Sequence, residues 1–403
     1  MFTKLPTLDT IQRLLESHLD EHRRLPESAR ARDLGAERSL VQDYSGRVVY
    51  ELLQNALDRS KDRILVRWSP ESRCLEVAND GQPVSAYAEQ TPRRSDFHAL
   101  LSLHSSTKRA KESIGNKGVG FRSVFAAASQ VEVWSRTVDG CWWGLHMRHP
   151  SQIQPAPEVT WISPEVASFY APQLLDRDMD AYFSTYQTVV RLIDVRPERA
   201  QVLEQTVRDL MRVPMRFLEH RAPSPESLSI RLALGDSEVE HRLVANPRDI
   251  AVSGTATVPV SDAVRRDTGL DLDTAEVRVM ACTIPAENGT ALAIDSRHPG
   301  LYWSYLPTEQ EAGFGVDIHA DFYLSNSRRS LALRSLARAE EDSASDPAGW
   351  NRRLVERAAH LIVKELWRHP ELVAREDFWA FAHPDNCRCE HLTFAVGRRL
   401  IGD

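Results

Sequence analysis

Apolar residues recur at helical spacing near the start of the chain. In TLDTIQRLLESHLDEHRRLP, Ile11, Leu14, Leu15 and Leu19 fall on one face, with Thr7 or Asp9 available as a cap. The polar stretch ESARARDLGAERS reads as a loop. From Val41 the helical pattern returns through SGRVVYELLQNALDRS, where Val48, Leu52 and Ala56 step along one side. The β-rich runs ILVRWS and CLEVAND then predict a hairpin turning at SPESR.

Beyond a polar segment over 84–112 with a short helix at FHALLSL comes the glycine loop IGNKGVGFRSVF. A helix, GFRSVFAAAS, is expected directly behind it. QVEVWSR and CWWGLHMR read as paired strands, QTVVRLID as another, and Pro197 to Glu219 as an amphipathic helix. APSPES has hinge composition. SLSIRLAL, VEHRLVA, AEVRVMACTI and TALAIDS follow as strands, then GVDIHADFYLSNSRRSLAL and the helix WNRRLVERAAHLIVKELW. From Pro370 the pattern fades, and no closing element is expected. The predicted organisation is an α/β (α+β) domain over 1–195, a second domain over 196–367 and a tail over 368–403.

With 403 residues, 42% of them hydrophobic, the chain has material for two to three domains with real cores. A net charge of -7 disfavours a broad nucleic-acid-coating surface and leaves room for a local basic patch. No apolar window predicts a membrane span, the first residues lack the apolar core of a secretory signal, and the five cysteines are odd in number and scattered. The expectation is a cytoplasmic protein.

Three stretches carry candidate chemistry. Glu51 and Asn55 lie four apart in YELLQNALD, so on a helix they share a face; a carboxylate can take a proton from water, and an amide oxygen can bind a hard cation beside phosphates. Taken alone, E-x-x-x-N is more often a solvated helix edge. NDGQPV ends a strand with Asn79, Asp80 and a flexible Gly81, which suits either a base-reading amide or an ordinary turn. In the third stretch, Gly115, Gly118 and Gly120 free backbone N–H groups for an anion, or simply form a tight turn before a buried helix. The lysine precedes the paired glycines, so this is no Walker loop.

The order of these parts resembles the superfamily of gyrase, heat-shock-ninety chaperones, histidine kinases and MutL (GHKL). ELLQNALD resembles its asparagine-bearing helix and NDGQPV its aspartate-glycine turn, while SSTKRAKESIGNKGVGFRSVF is similar to the chaperone lid and glycine motif. LYWSYLPTEQEAGFGVDIHADFYLSNSRRSLAL with WNRRLVERAA is similar to the region after the ATPase in sacsin-like members. The resemblance spans roughly Tyr44 to Trp367. It implies a two-layer Bergerat-type ATPase sandwich followed by a transducer-like domain, binding ATP with Mg²⁺, hydrolysing it slowly and pairing as a homodimer.

By that resemblance Glu51 is the general base and Asn55 the Mg²⁺ ligand, with Asp58 nearby in a lesser role. Asn79 stands where the family has its adenine-reading aspartate, followed by Asp80 and Gly81, and Pro83 replaces a second glycine. Thr188 matches a threonine that helps hold the base. Lys108 and the loop Gly115, Asn116, Lys117, Gly118, Val119, Gly120 and Phe121 contact the triphosphate, and Arg328 reaches the γ-phosphate as a second catalytic residue. Arg328, Arg329, Arg334 and Arg338 otherwise form a basic face, and the best candidate here for a nucleic-acid patch. A nucleic-acid-coupled ATPase and a nucleotide sensor with little hydrolysis stay open as alternatives. His383, Cys387, Cys389 and His391 offer zinc-type atoms at a spacing unlike the common structural patterns.

Overall fold

A computed structural model describes residues 5–24, 26, 47–87, 95–101, 121, 124–148, 172–212, 228–242, 253–268, 270, 272–281, 283–285, 292–294, 300–313, 315–325, 330–335, 346–366, 368 and 389–401. The chain is mixed α and β and divides into two compact units, Met1–Ala245 and Asn246–Asp403.

The first unit opens with α1 (Leu8–Arg24), which Thr7 caps by accepting the Thr10 N–H at 3.2 Å and which buries Ile11, Leu14 and Leu15. After α2 (Val48–Leu57), β1 (Arg63–Ser69) and β2 (Cys74–Asn79) form the expected hairpin, pairing Ile64 with Asn79 and Ser69 with Cys74. Next come α3 (Asp96–Leu101), α4 (Val124–Ala127), β3 (Ala128–Arg136), β4 (Trp142–Arg148), β5 (Gln173–Leu174), β6 (Thr188–Val195), α5 (Pro197–Arg212), β7 (Ser229–Leu234) and β8 (Ser237–Arg242). The eight strands make one sheet in the order β5-β4-β3-β6-β2-β1-β7-β8, with β1–β7 parallel. That parallel pairing carries β7 and β8 into the first sheet, so the division falls well after the 195/196 boundary suggested by the sequence.

Alternation along the strands gives the sheet two different faces. One lies under α2, α4 and α5. On the other, Leu65, Ala78, Trp134 and Val189 pack against Met179, Phe183 and Tyr186. This outer face also holds a row of charges that no local pattern announces. Arg67, Glu76, Arg191, Glu132 and His146 stand in register across β1, β2, β6, β3 and β4.

Glu76, 2% exposed, is bridged by Arg67 Nε at 2.5 Å and Arg191 Nε at 2.9 Å. Glu132 takes Arg191 Nη1 at 3.4 Å and Arg177 Nη2 at 2.5 Å, and accepts the Trp134 indole N–H at 3.0 Å. Burial works against the Arg191 charge, but Glu76 and Glu132 outweigh it and hold its pKa above the ordinary guanidinium range. Burial likewise lowers the His146 pKa, beyond what Glu132 restores. At the edge of the row, burial and then Glu76 push the Cys74 thiol up to about 11.

In the second unit β9 (Ser253–Pro259), α6 (Asp262–Thr268), β10 (Thr274–Ala281), β13 (Leu301–Ser304), β14 (Leu306–Glu311) and β15 (Val316–Ala320) surround a core with Trp350 and Tyr302 at its centre. The sheet runs β14-β13-β15-β10-β9, and the short β11 (Thr283–Pro285) and β12 (Leu292–Ile294) pair separately. Helix α7 (Pro347–Leu366) packs on β9 and β10. The expectation of an unpatterned tail is corrected here. Helix α8 (Glu390–Ile401) lies along α7 and buries Leu392, Ala395 and Val396 in the same core. Among the described side chains its buried apolar positions are Leu392, Ala395 and Val396, too few to announce a helix by periodicity.

Removing one member of the charge row strands its partners in a buried site. Arg191→Met is expected to lower unfolding stability by about 3–5 kcal/mol in urea denaturation; a change under about 0.5 kcal/mol would show that the row contributes nothing. At pH 8 the protonated Cys74 thiol should resist alkylation in the folded protein while exposed Cys141 is labelled, as read by peptide mass spectrometry. Equal labelling of the two would contradict the burial of that face.

Candidate functional site

The site is built around the end of α2. This helix is buried on most sides, including Val48, Leu52, Leu53 and Ala56, which is why it sits firmly on the sheet. Glu51 is 3% exposed, whereas Asn55 and Asp58, one and two turns further on, are half-buried. The three share one helix face by their spacing. Asp58 ends the helix, its N–H donating to Gln54 O.

Backbone contacts fasten this end of α2 to the end of β2. Gln82 N donates to Arg59 O at 2.7 Å, and the chain at Gly81 runs so close to residues 59–61 that a Cβ there would lie 1.9 Å from Arg59 O. Only glycine fits. The Asp80 carboxylate is consumed in the same fastening: Oδ1 accepts the N–H groups of Lys61, Asp62 and Arg63 at 3.0, 3.0 and 2.9 Å. Asp80 thus acts as a backbone cap for the turn between α2 and β1, a role its place in NDG does not reveal.

Asn79 has the opposite character. It pairs in register with Thr188 of β6, which pairs with Ser135 of β3, so the three lie in one row on the helix-bearing face. Asn79 is 5% exposed, and its Oδ1 is buried with no hydrogen-bond partner among the described residues. A buried amide oxygen left without a donor is uncommon and costs roughly 1–3 kcal/mol. Its backbone carbonyl is engaged, Asn79 O accepting from Gln187 N at 2.8 Å. The Thr188 hydroxyl, itself nearly buried, reaches Gln82 O at 3.4 Å.

Other side chains fix the segment after the turn, and sequence reasoning missed them because their partners are remote in the chain. Ser135 Oγ accepts from Val84 N at 2.8 Å. Asp96, opening α3, accepts from the Ser85 N–H at 3.0 Å and hydroxyl at 2.7 Å and is ion-paired with Arg59. The segment 80–85, α2 and the start of α3 therefore form one connected frame.

Lys108 and the loop residues Gly115, Asn116, Lys117, Gly118, Val119 and Gly120 lie outside the described residues, as does Arg328. Phe121 is half-buried in a 3-10 turn. The helix expected after the loop is shorter than the sequence suggests: α4 covers four residues, because Ala128 already pairs with Val195 in the sheet. The chain on either side of Arg328 is pinned. Leu324 bridges Leu331, Ser325 N donates to Ser330 O at 2.9 Å, and the buried Asn351 amide holds Tyr323 N at 2.8 Å and the Tyr323 and Ala332 carbonyls at 2.7 and 3.0 Å.

Among the described residues no cluster of His, Cys, Asp and Glu could hold a metal, and no helix is long and apolar enough to cross a membrane. Cys389 and His391 are buried, with His391 Nε2 bonded to Arg334 O; His383 and Cys387 lie outside the described residues.

These roles separate in a stability assay. Gly81→Ala and Asp80→Ala should each cost about 2–4 kcal/mol, from overpacking and from three orphaned N–H groups. Asn79→Ala should leave stability unchanged or raise it by up to about 1 kcal/mol, since its oxygen has no internal bond to lose; a loss as large as that of Asp80→Ala would make Asn79 structural. Compared with known proteins, the chain matches no family model and no curated sequence.

Proposed function

We propose that the first unit is a nucleotide-binding ATPase of GHKL type, with a Bergerat-like sandwich of helices on the mixed sheet. The observation that carries this reading is the buried, unbonded Asn79 oxygen beside Thr188, at the end of a strand fastened to the helix that bears Glu51 and Asn55. Such an acceptor suits the exocyclic amino group of adenine, and the Thr188 hydroxyl can bond the same base edge. A purine bound there returns the hydrogen bond that folding withholds from Asn79.

The residues fit the rest of the chemistry by type. Glu51, on a fixed helix with little solvent, would hold the attacking water and take its proton. Asn55 offers a neutral oxygen to Mg²⁺, which keeps several waters and uses substrate phosphates as ligands, so a carboxylate cluster is not required. When bound, the ion supplies neutralisation of charge on the phosphates. Lys108, the loop at Gly115–Phe121 and Arg328 keep the roles that the resemblance implies for them.

Two assays on the full chain test this. ATP binding by isothermal calorimetry and Mg²⁺-dependent phosphate release should both be present in the wild type. Glu51→Ala should bind ATP within about threefold of wild type and lose phosphate release by about 10²–10⁴-fold. Asn79→Ala should weaken binding by about tenfold, the worth of one hydrogen bond. No ATP binding by the wild type would sink the proposal; binding with hydrolysis unaffected by Glu51→Ala would leave a nucleotide sensor instead.

A further inference from the structure

The second unit carries a groove of about 530 Å³ bounded by β9, α7 and α8. Thr257 to Pro259 form one side, α7 supplies Arg353, Glu356, Arg357 and His360, and α8 supplies Arg399. Arg353, Arg357, His360 and Lys364 recur at steps of four, three and four, so they stack along one face of α7 over a length of about 16 Å. Arg357, Lys364 and Arg399 are exposed, and among the described residues none of them is in a salt bridge. Arg353 rests over the Trp350 ring at 5.7 Å.

The crowding of positive charge is felt by His360. Burial, then Arg357, Arg399 and Lys364, lower its pKa, leaving a neutral imidazole to offer a hydrogen bond at neutral pH. Glu356 is the sole carboxylate in the lining and cannot balance three guanidinium groups. The chain as a whole carries a net charge of -7, so this accumulation is local and not a reflection of composition.

By contrast, Arg334, part of the basic face read from the sequence, is paired with Asp346 at 3.4 Å. Unmatched cations held side by side create a local positive potential that attracts a ligand of opposite charge. A compact anion would need donors converging on one point; cations in a line suit a linear polyanion whose charges recur at regular steps.

We propose that this groove binds the phosphodiester backbone of nucleic acid, with Arg357 and Arg399 as principal phosphate contacts and Arg353 flanking them. The site is independent of the nucleotide site in the first unit, so its test is done without ATP. Fluorescence anisotropy of a labelled mixed-sequence oligonucleotide, single-stranded and duplex, is titrated with the 403-residue chain at several salt concentrations.

Three phosphate contacts give an expected slope of log affinity against log salt of roughly −2 to −3. The Arg357→Glu/Arg399→Glu double variant should bind at least about tenfold more weakly and with a flatter slope. Glu356→Gln, which removes the repelling carboxylate, should bind about two- to threefold more tightly. Arg266→Glu on α6, the same charge reversal made at one position outside the groove lining, should stay within about twofold of wild type. All four side chains reach solvent, so folding is expected to survive these changes. Absent or salt-independent binding by the wild type would overturn the proposal, as would equal losses in the Arg266→Glu control. Competition by poly-glutamate as strong as by unlabelled oligonucleotide would also overturn it, in favour of an acidic-peptide site.

Discussion

The backbone contact between Gly81 and the turn after α2 is the constraint on which the chemistry proposed for the first unit depends. Because no Cβ intervenes, the end of β2 can press against Arg59 and Ser60, and Gln82 can complete the join with its N–H. The helix carrying Glu51 and Asn55 is then held at a fixed distance from the strand carrying Asn79. Asp80 strengthens the join by absorbing three N–H groups that a tight turn would otherwise leave unpaired. Two adjacent residues in NDG thus have opposite assignments: the aspartate's bonding capacity is spent on the fold, and the asparagine's is withheld from it.

The opposite face of the same sheet is secured by electrostatics. The alternating row from Arg67 to Glu132 matches every buried carboxylate with a guanidinium in the adjacent strand. A one-residue slip of any strand would carry its charge to the helix-bearing face, so the row specifies register as well as joining strands. It therefore helps keep Asn79 opposite Thr188.

Local signals made much of this legible. The β1–β2 hairpin, β3–β4, β6 and the long helix α7 follow from alternation and helical spacing, and Thr7 caps α1 as its residue type suggests. What stayed hidden depends on partners far apart in sequence. The parallel pairing of β7 with β1 moved the unit boundary, the charge row needs five strands in register, and α8 shows its apolar stripe only once α7 is there to receive it. For the candidate site, Glu51, Asn55, Asn79 and Thr188 are singled out in the sequence by residue type and by the order the resemblance supplies; the cap formed by Asp80 and the anchoring of Ser85 and Asp96 are not, because only the fold brings their partners near.

The most direct test of the central claim is a crystal structure of the protein with Mg²⁺ and a non-hydrolysable ATP analogue. The expected result is a purine amino group about 3 Å from the Asn79 amide, with the Thr188 hydroxyl on the same base edge and the Gly81 turn still joined to α2. A base bound away from Asn79, or an Asn79 amide satisfied by protein atoms with the nucleotide present, would contradict it.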